Sequence, residues 1–129
     1  MISVQFALAV HEEQILAFGG AVGIRDQTVL ESALARPYAT FGGEDLLPDP
    51  LQKAAAILES MAINHPFVDG NKRTAWVLML IILSDYDLDV TIDEDARYQL
   101  VIDVASGQLR FEGIVEWLRG HTARIGAAG

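Results

Sequence analysis

Val4, Leu8, His11, Ile15 and Phe18 recur at alternating intervals of four and three residues. That spacing lays them along one side of an α-helix, which the Gly19–Gly20 pair ends. Asp26 is a helix-capping residue before a second helix that turns Val29, Leu30, Ala33 and Leu34 inward and stops at Pro37. The stretch "PYATFGGEDLLPDP" is a loop by its Gly and Pro content. Asp49–Pro50, a cap followed by a first-turn proline, opens a third helix that buries Leu51, Ala54, Ala55, Leu58, Met61 and Ala62. Pro66 disfavours helical dihedrals at His65, so this helix ends near Asn64. A fourth helix runs from about Asn71 to Ser84. Ala75 to Leu83 is apolar on every side, so this helix is expected at the centre of the fold. Asp93 caps a fifth helix through Leu100 and Val104, with Gly107 just past its end, and a sixth carries Phe111, Ile114, Val115, Trp117 and Leu118. The pattern predicts an all-α, compact single domain of about six helices around a central apolar one. The domain is expected to fill residues 1–124, with 125–129 a disordered tail and fraying from Arg124 onward.

One segment departs from helical period. In "DYDLDVTID", Tyr86, Leu88, Val90 and Ile92 alternate with polar residues, as in a strand. Asp85, Asp87 and Asp89 match the first three ligands of an EF-hand calcium loop. Val90 then stands where the turn glycine belongs and Ala96 where the bidentate Glu belongs, so the segment reads as an extended connector with a solvated acidic face.

Composition narrows the class. The 129 residues carry a net charge of −9, the reverse of what phosphate-backbone binding needs, so no direct nucleic-acid binding is expected. The apolar run of the fourth helix is too short to span a bilayer. No membrane association is expected, and the first residues lack the basic start and cleavage site of a signal peptide. There is no cysteine, which suits a cytoplasmic location.

Against that acidity, "NHPFVDGNKRTAW", Asn64 to Trp76, sets two cations side by side where the apolar helix begins. Cations are unfavourable at a helix N-terminus, which already has a partial positive charge and unpaired N–H groups. Lys72 and Arg73 there make sense if an anion binds among them, and a phosphate is the obvious occupant. Gly70 lets the backbone approach it, and Asn71 can cap the helix or donate to it. Asp69 is a carboxylate placed to share Mg²⁺ with a nucleotide. His65 is an acid–base group of the one side-chain type whose unperturbed pKa lies near neutrality. The plainer reading, a solvated basic pair at a helix end, leaves this neighbourhood unexplained. The set fits phosphoryl or nucleotidyl transfer on a loop that is not a Walker A, since no G-x-x-x-x-G-K-[ST] occurs.

"HPFVDGNKRTA" resembles the H-x-F-x-[DE]-[GA]-N-[GK]-R signature of the Fic/Doc superfamily, and Lys after Asn is similar to its death-on-curing (Doc) toxins. "HEEQILAFGGAVGIRDQTVLESALARPYATF", His11 to Phe41, resembles the N-terminal half of that branch, so the likeness covers nearly the whole chain. The resemblance implies His65 as the catalytic base for a target hydroxyl, Asp69 as the Mg²⁺ ligand, Gly70 and Asn71 as an anion hole, and Lys72 and Arg73 on the phosphates of ATP. Phe67 is then a packing anchor. AMP-transferring members have Gly where Lys72 stands and a second Arg where Trp76 stands, so the departures favour the activity of the Doc branch. That activity is ATP-dependent phosphorylation of translation elongation factor Tu by a toxin that a Phd-like antitoxin neutralises. Two alternatives remain open: a Fic-type AMP transferase, and a non-catalytic interaction domain, which has no need of the full set of site residues.

Three further features are weighed beside this one. His11 lies on the apolar stripe and reads as a satisfied core histidine, while His121 reads as solvated. Trp76 and Trp117 fall at helical spacing among aliphatic residues and read as core. The loop that carries Tyr38, Thr40 and Phe41 lies between the second and third helices, where Fic-type proteins carry a flap that guides the target; an ordinary surface loop is the equal alternative. Self-inhibiting relatives carry [ST]-x-x-x-E-[GN] on a helix. Thr40 to Glu44 is the nearest match, with Asp45 in the wrong place and two glycines between, so control is expected from another chain.

Overall fold

A computed structural model describes residues 1–126. Helix α1 (Val4–Phe18) starts at Ser3, whose hydroxyl accepts the Phe6 N–H at 3.0 Å, and ends at Gly19 with φ 84°. Asp26 caps α2 (Gln27–Ala35), and a 3₁₀ turn, Arg36–Tyr38, follows. Strands β1 (Thr40–Phe41) and β2 (Glu44–Asp45) form a small antiparallel hairpin. Its Gly42–Gly43 turn has φ of 61° and 84°, which glycine adopts without strain. Asp49 and Gln52 close a reciprocal capping box on α3 (Pro50–Asn64), and α4 (Asn71–Ser84) follows the connecting loop. Strand β3 (Leu88–Val90), α5 (Glu94–Ala105, capped by Asp93), α6 (Phe111–His121) and β4 (Thr122–Arg124) complete the described chain.

Helices α3 and α4 form an antiparallel pair that the others surround. Lys53 to Ala62 of α3 is buried without interruption. Ile57, Leu58 and Met61 of α3, with Leu78, Met79, Ile82 and Leu83 of α4, are fully enclosed, each worth about 1.5–3 kcal/mol on burial. The apolar α4 is thus central as expected, but it shares the centre with α3, because Val77 and Leu80 of α4 open into a cleft. On α1 the buried positions are Ala7, Val10, His11 and Ile15. Phe18, expected inward, is 64% exposed at the helix end.

A buried carboxylate ties three elements together. Glu59 of α3 accepts from Arg36 at 2.9 Å and from Arg110, ahead of α6, at 3.1 Å. Burial pushes its pKa up, but the hydrogen bonds from Arg110 and Arg36 outweigh that and hold it below the ordinary carboxylate value.

The β1–β2 hairpin sits at the end of the α3–α4 pair remote from the connecting loop. Lys53, in the first turn of α3, donates to the Pro37 carbonyl at 3.2 Å and to Asp45 at 3.1 Å. Tyr38 has its ionisation pushed up by burial and then by the charges of Asp85 and Tyr86, just past the end of α4. Thr40 and Glu44 lie on paired strands and not on a helix, so they form no inhibitory helix.

The strand period at Leu88–Val90 is realised as β3, and its partner is a segment expected to begin fraying. β4 pairs Arg124 with Leu88, and the Ile125 N–H donates to the Asp87 carbonyl at 2.8 Å. Arg124 therefore belongs to the fold, and of the expected tail Ile125 and Gly126 form a turn while 127–129 lies outside the described residues. Among the described residues, no helix is long and apolar enough to cross a membrane.

Candidate functional site

The loop between α3 and α4 is built from His65. As the C-cap of α3 it takes a left-handed conformation, φ 50° and ψ 62°, which is sparsely populated for a residue with a Cβ. The turn exposes His65 and swings the chain back over the helix pair. The strain is held from the α1–α2 segment. Arg25 donates through Nε to the His65 carbonyl and through Nη2 to the Asn64 carbonyl at 2.7 Å. The Pro66 carbonyl accepts the N–H groups of Arg25 at 2.7 Å and Asp26 at 3.1 Å, and the Val68 N–H donates to Gly23 at 3.0 Å. Phe67 is buried and stacks on His11 with centroids 3.8 Å apart, so it is the anchor its place in the motif implied. Asn71 closes the loop: its side-chain oxygen accepts the Phe67 N–H at 2.9 Å and its amide donates to the Phe67 carbonyl at 3.0 Å. The expectation that the Asn71 side chain caps α4 is corrected here, since the cap position is Gly70 and no side chain fills it. Both ends of that amide instead hold the Phe67 backbone.

Asp69 is exposed, and its carboxylate is well anchored. Oδ1 accepts the Gly70 N–H at 2.9 Å and Oδ2 the Ala21 N–H at 3.2 Å. These bonds, Gly70 first and Ala21 second, hold its pKa below the ordinary value, so it stays an anion across the neutral range. Gly20 makes room for it, since a Cβ at Gly20 would lie 2.6 Å from Oδ2. The Asp69 carbonyl accepts from His11 Nε2 at 2.8 Å. Gly70 is required by its own conformation, φ 75°, and by close packing, because a Cβ there would lie 3.0 Å from Ile15.

Gly70 begins α4 with no side-chain cap, so the first N–H groups of the helix point out of it unclaimed. Lys72 is exposed beside them. Arg73 lies over the ring of Phe18 at 5.0 Å, and its Nη1 is buried without a hydrogen-bond partner. Asp69, Gly70, Asn71, Lys72 and Arg73 line one end of a cleft of about 890 Å³. Trp76, Val77 and Leu80 of α4 also line it, as do Tyr98 and Val101 of α5. The arrangement can hold an anion at the helix start, a hard cation at Asp69, and an apolar body along α4.

One loop thus brings together His65, Asp69, Gly70, Asn71, Lys72 and Arg73, with His65 outside the cleft lining. Tyr38, Thr40 and Phe41 are not brought to it. Their hairpin is a helix length away, about 20 Å at 1.5 Å per residue over α4. The segment that does lie against the loop is Gly19–Asp26, where Ile24 bridges to Phe67. Sequence reasoning missed Arg25 and the role of Gly20. The available signals were a lone cation and paired glycines in an acidic chain, which by themselves name no partner.

Comparison with known proteins fits this geometry. Residues 1–83, which include the whole loop, match the model of the Fic/DOC family. The chain is 41% identical over 110 residues to "Toxin Doc" of Mycolicibacterium smegmatis (strain ATCC 700084 / mc(2)155), covering 84% of this chain and 85% of that protein. It is 29% identical over 118 residues to "Protein kinase doc" of Escherichia phage P1, covering 92% of each.

Proposed function

Because the chain belongs to the Fic/DOC family, we propose that it is the toxin of a toxin–antitoxin pair and a protein kinase that transfers the γ-phosphate of Mg·ATP to a hydroxyl of translation elongation factor Tu. The observation that carries the reading is the uncapped start of α4, with Lys72 and Arg73 beside its first N–H groups at one end of the cleft. Unpaired N–H groups and two cations at one helix start make an anion site, and a phosphate is the occupant those surroundings suit. The names of the two relatives, a toxin and a protein kinase, point the same way.

In this reading the phosphates lie on the N–H groups that open α4, with Lys72 and Arg73 around them. The target approaches over the exposed face of the loop, which carries His65 and Val68, the latter 55% exposed, while Val22 in the segment packed against the loop is 70% exposed. An open apolar rim suits a protein substrate. His65 takes the proton as the hydroxyl oxygen bonds to the γ-phosphorus and the bond to the bridging β,γ oxygen breaks, releasing ADP. The donor set fits Mg²⁺: a single ionised oxygen ligand at Asp69 is the protein's share when phosphates and water supply the rest. Bound there, the cation would neutralise charge on the transferring group. A Phd-like antitoxin, folding an amphipathic segment into the cleft along α4 and α5, would supply the control expected from another chain.

The test is to incubate the protein with elongation factor Tu and ATP labelled at either the γ- or the α-phosphate. Label from the γ position is expected in the target. Label from the α position, with a mass gain of one AMP, would replace kinase with AMP transferase. For the antitoxin, co-expression with an adjacent small reading frame should yield one soluble complex, and separate elution at micromolar concentration would refute that partner.

A further inference from the structure

We propose that the loop is positioned from outside by two independent carbonyl clamps, Arg25 at the His65 end and His11 at the Asp69 end, so that one sets the chemical step and the other sets Mg·ATP binding. The proposal rests on the roles given above to His65 and Asp69.

Neither clamp belongs to the loop. His11 is on α1, 58 residues before Asp69, and is 4% exposed. A carbonyl can only accept, so its bond to Nε2 makes that nitrogen the protonated one and fixes the ring's tautomer. Stacking on Phe67, with only 7° between the rings, removes the remaining rotation. The carbonyl it grips belongs to the residue whose carboxylate would meet the metal, immediately before the αL turn at Gly70. Arg25 acts at the other end. Helix α3 stops at a strained residue, and its closing carbonyls, Asn64 and His65, lie on the planar fork of one guanidinium. A cation is favourable at a helix C-terminus, and the two bonds fix the peptide plane from which the His65 side chain departs. Between the clamps Asn71 holds both backbone groups of Phe67, so displacement at the Arg25 end is not passed to the other.

Independence predicts divided effects. Arg25→Met should lower kcat about ten- to a hundred-fold, the scale of small misplacements of a reacting group, with the Kd for Mg·ATP within two-fold of wild type. Arg25→Lys, one point donor in place of a fork, should recover only part of kcat. His11→Phe keeps an aromatic ring against Phe67 but removes the donor. It should weaken Mg·ATP binding about ten-fold or more, and His11→Gln, whose amide can reach the carbonyl, should restore most of it. Calorimetry gives the Kd without turnover, and melting curves identify any variant that fails to fold. The His65 ring and Gly70 amide resonances read the two ends without any ligand: Arg25→Met should move the first alone, and His11→Gln should leave both near wild type.

Equal losses of kcat and affinity in both Arg25→Met and His11→Phe would overturn the proposal, as would an Arg25→Met enzyme with wild-type kcat or movement of both resonances in Arg25→Met. If the wild type binds Mg·ATP but transfers no label, the kinase reading fails, and the affinities and resonances still decide the clamps.

Discussion

His65 meets the first demand on a general base, an accessible ring on a fixed backbone: it is exposed, and its own carbonyl is held by Arg25. No hydrogen bond of its side chain supports the loop among the described residues, so His65→Ala should keep the wild-type melting temperature within a degree or two. Phosphate transfer should fall on the order of a hundred- to ten-thousand-fold. Transfer within a factor of a few of wild type would remove His65 from the mechanism. At this scale the sequence was informative where the candidate site is local. His65, Asp69 and Arg73 share one short stretch, and residue type and spacing were enough to mark them as candidates. His11 was legible as buried, since it falls on an apolar stripe. Its bond to Asp69 was not, because two residues that far apart in the chain meet only through the packing of α1 against α4.

Among the elements, the α1–α2 segment takes its form from the loop it supports. Gly19 and Gly20 look alike in sequence but have different neighbours. A Cβ at Gly19, φ 84°, meets nothing within 4 Å, whereas at Gly20, φ 120°, it collides with the Asp69 carboxylate. Gly19→Ala should therefore show only backbone strain, about 1–2 kcal/mol. Gly20→Ala should add to a similar strain a displaced Asp69, read as weaker Mg·ATP binding by calorimetry. Equal affinities in the two variants would contradict this. Glu59 gives a second test among elements. Its lowered pKa means that its ion pairs contribute fully above the ordinary carboxylate pKa and are lost as pH falls through the depressed folded value. Urea unfolding of Glu59→Gln should show a deficit of about 1–3 kcal/mol near neutrality that shrinks below about pH 4. A deficit independent of pH would show that the charge contributes nothing. The caps at Asp26, Asp49 and Asp93 were readable because capping is a rule about adjacent residues. The β3–β4 pair was half readable: alternation marked β3, while its partner, "TAR", carries no alternating apolar pattern to show that it pairs.

For the whole molecule, the architecture followed from helical periodicity, and what escaped was which end of the α3–α4 pair each connection occupies. Loop order does not encode that. It follows from the directions in which α2 and α3 run, and from Lys53 fastening Pro37 and Asp45 at the far end. The hairpin thus stands apart from the chemistry, with Phe41 81% exposed and open space around both turn glycines. Such a tip tolerates foreign sequence. A short epitope or fluorophore-binding peptide inserted between Gly42 and Gly43 should leave Mg·ATP affinity and phosphate transfer within about two-fold of wild type. Loss of transfer with affinity intact would instead return this hairpin to the role of a target guide. If the insertion is tolerated, the far end of the molecule becomes a handle, from which the protein can be immobilised, imaged or followed as its partners come and go at the other.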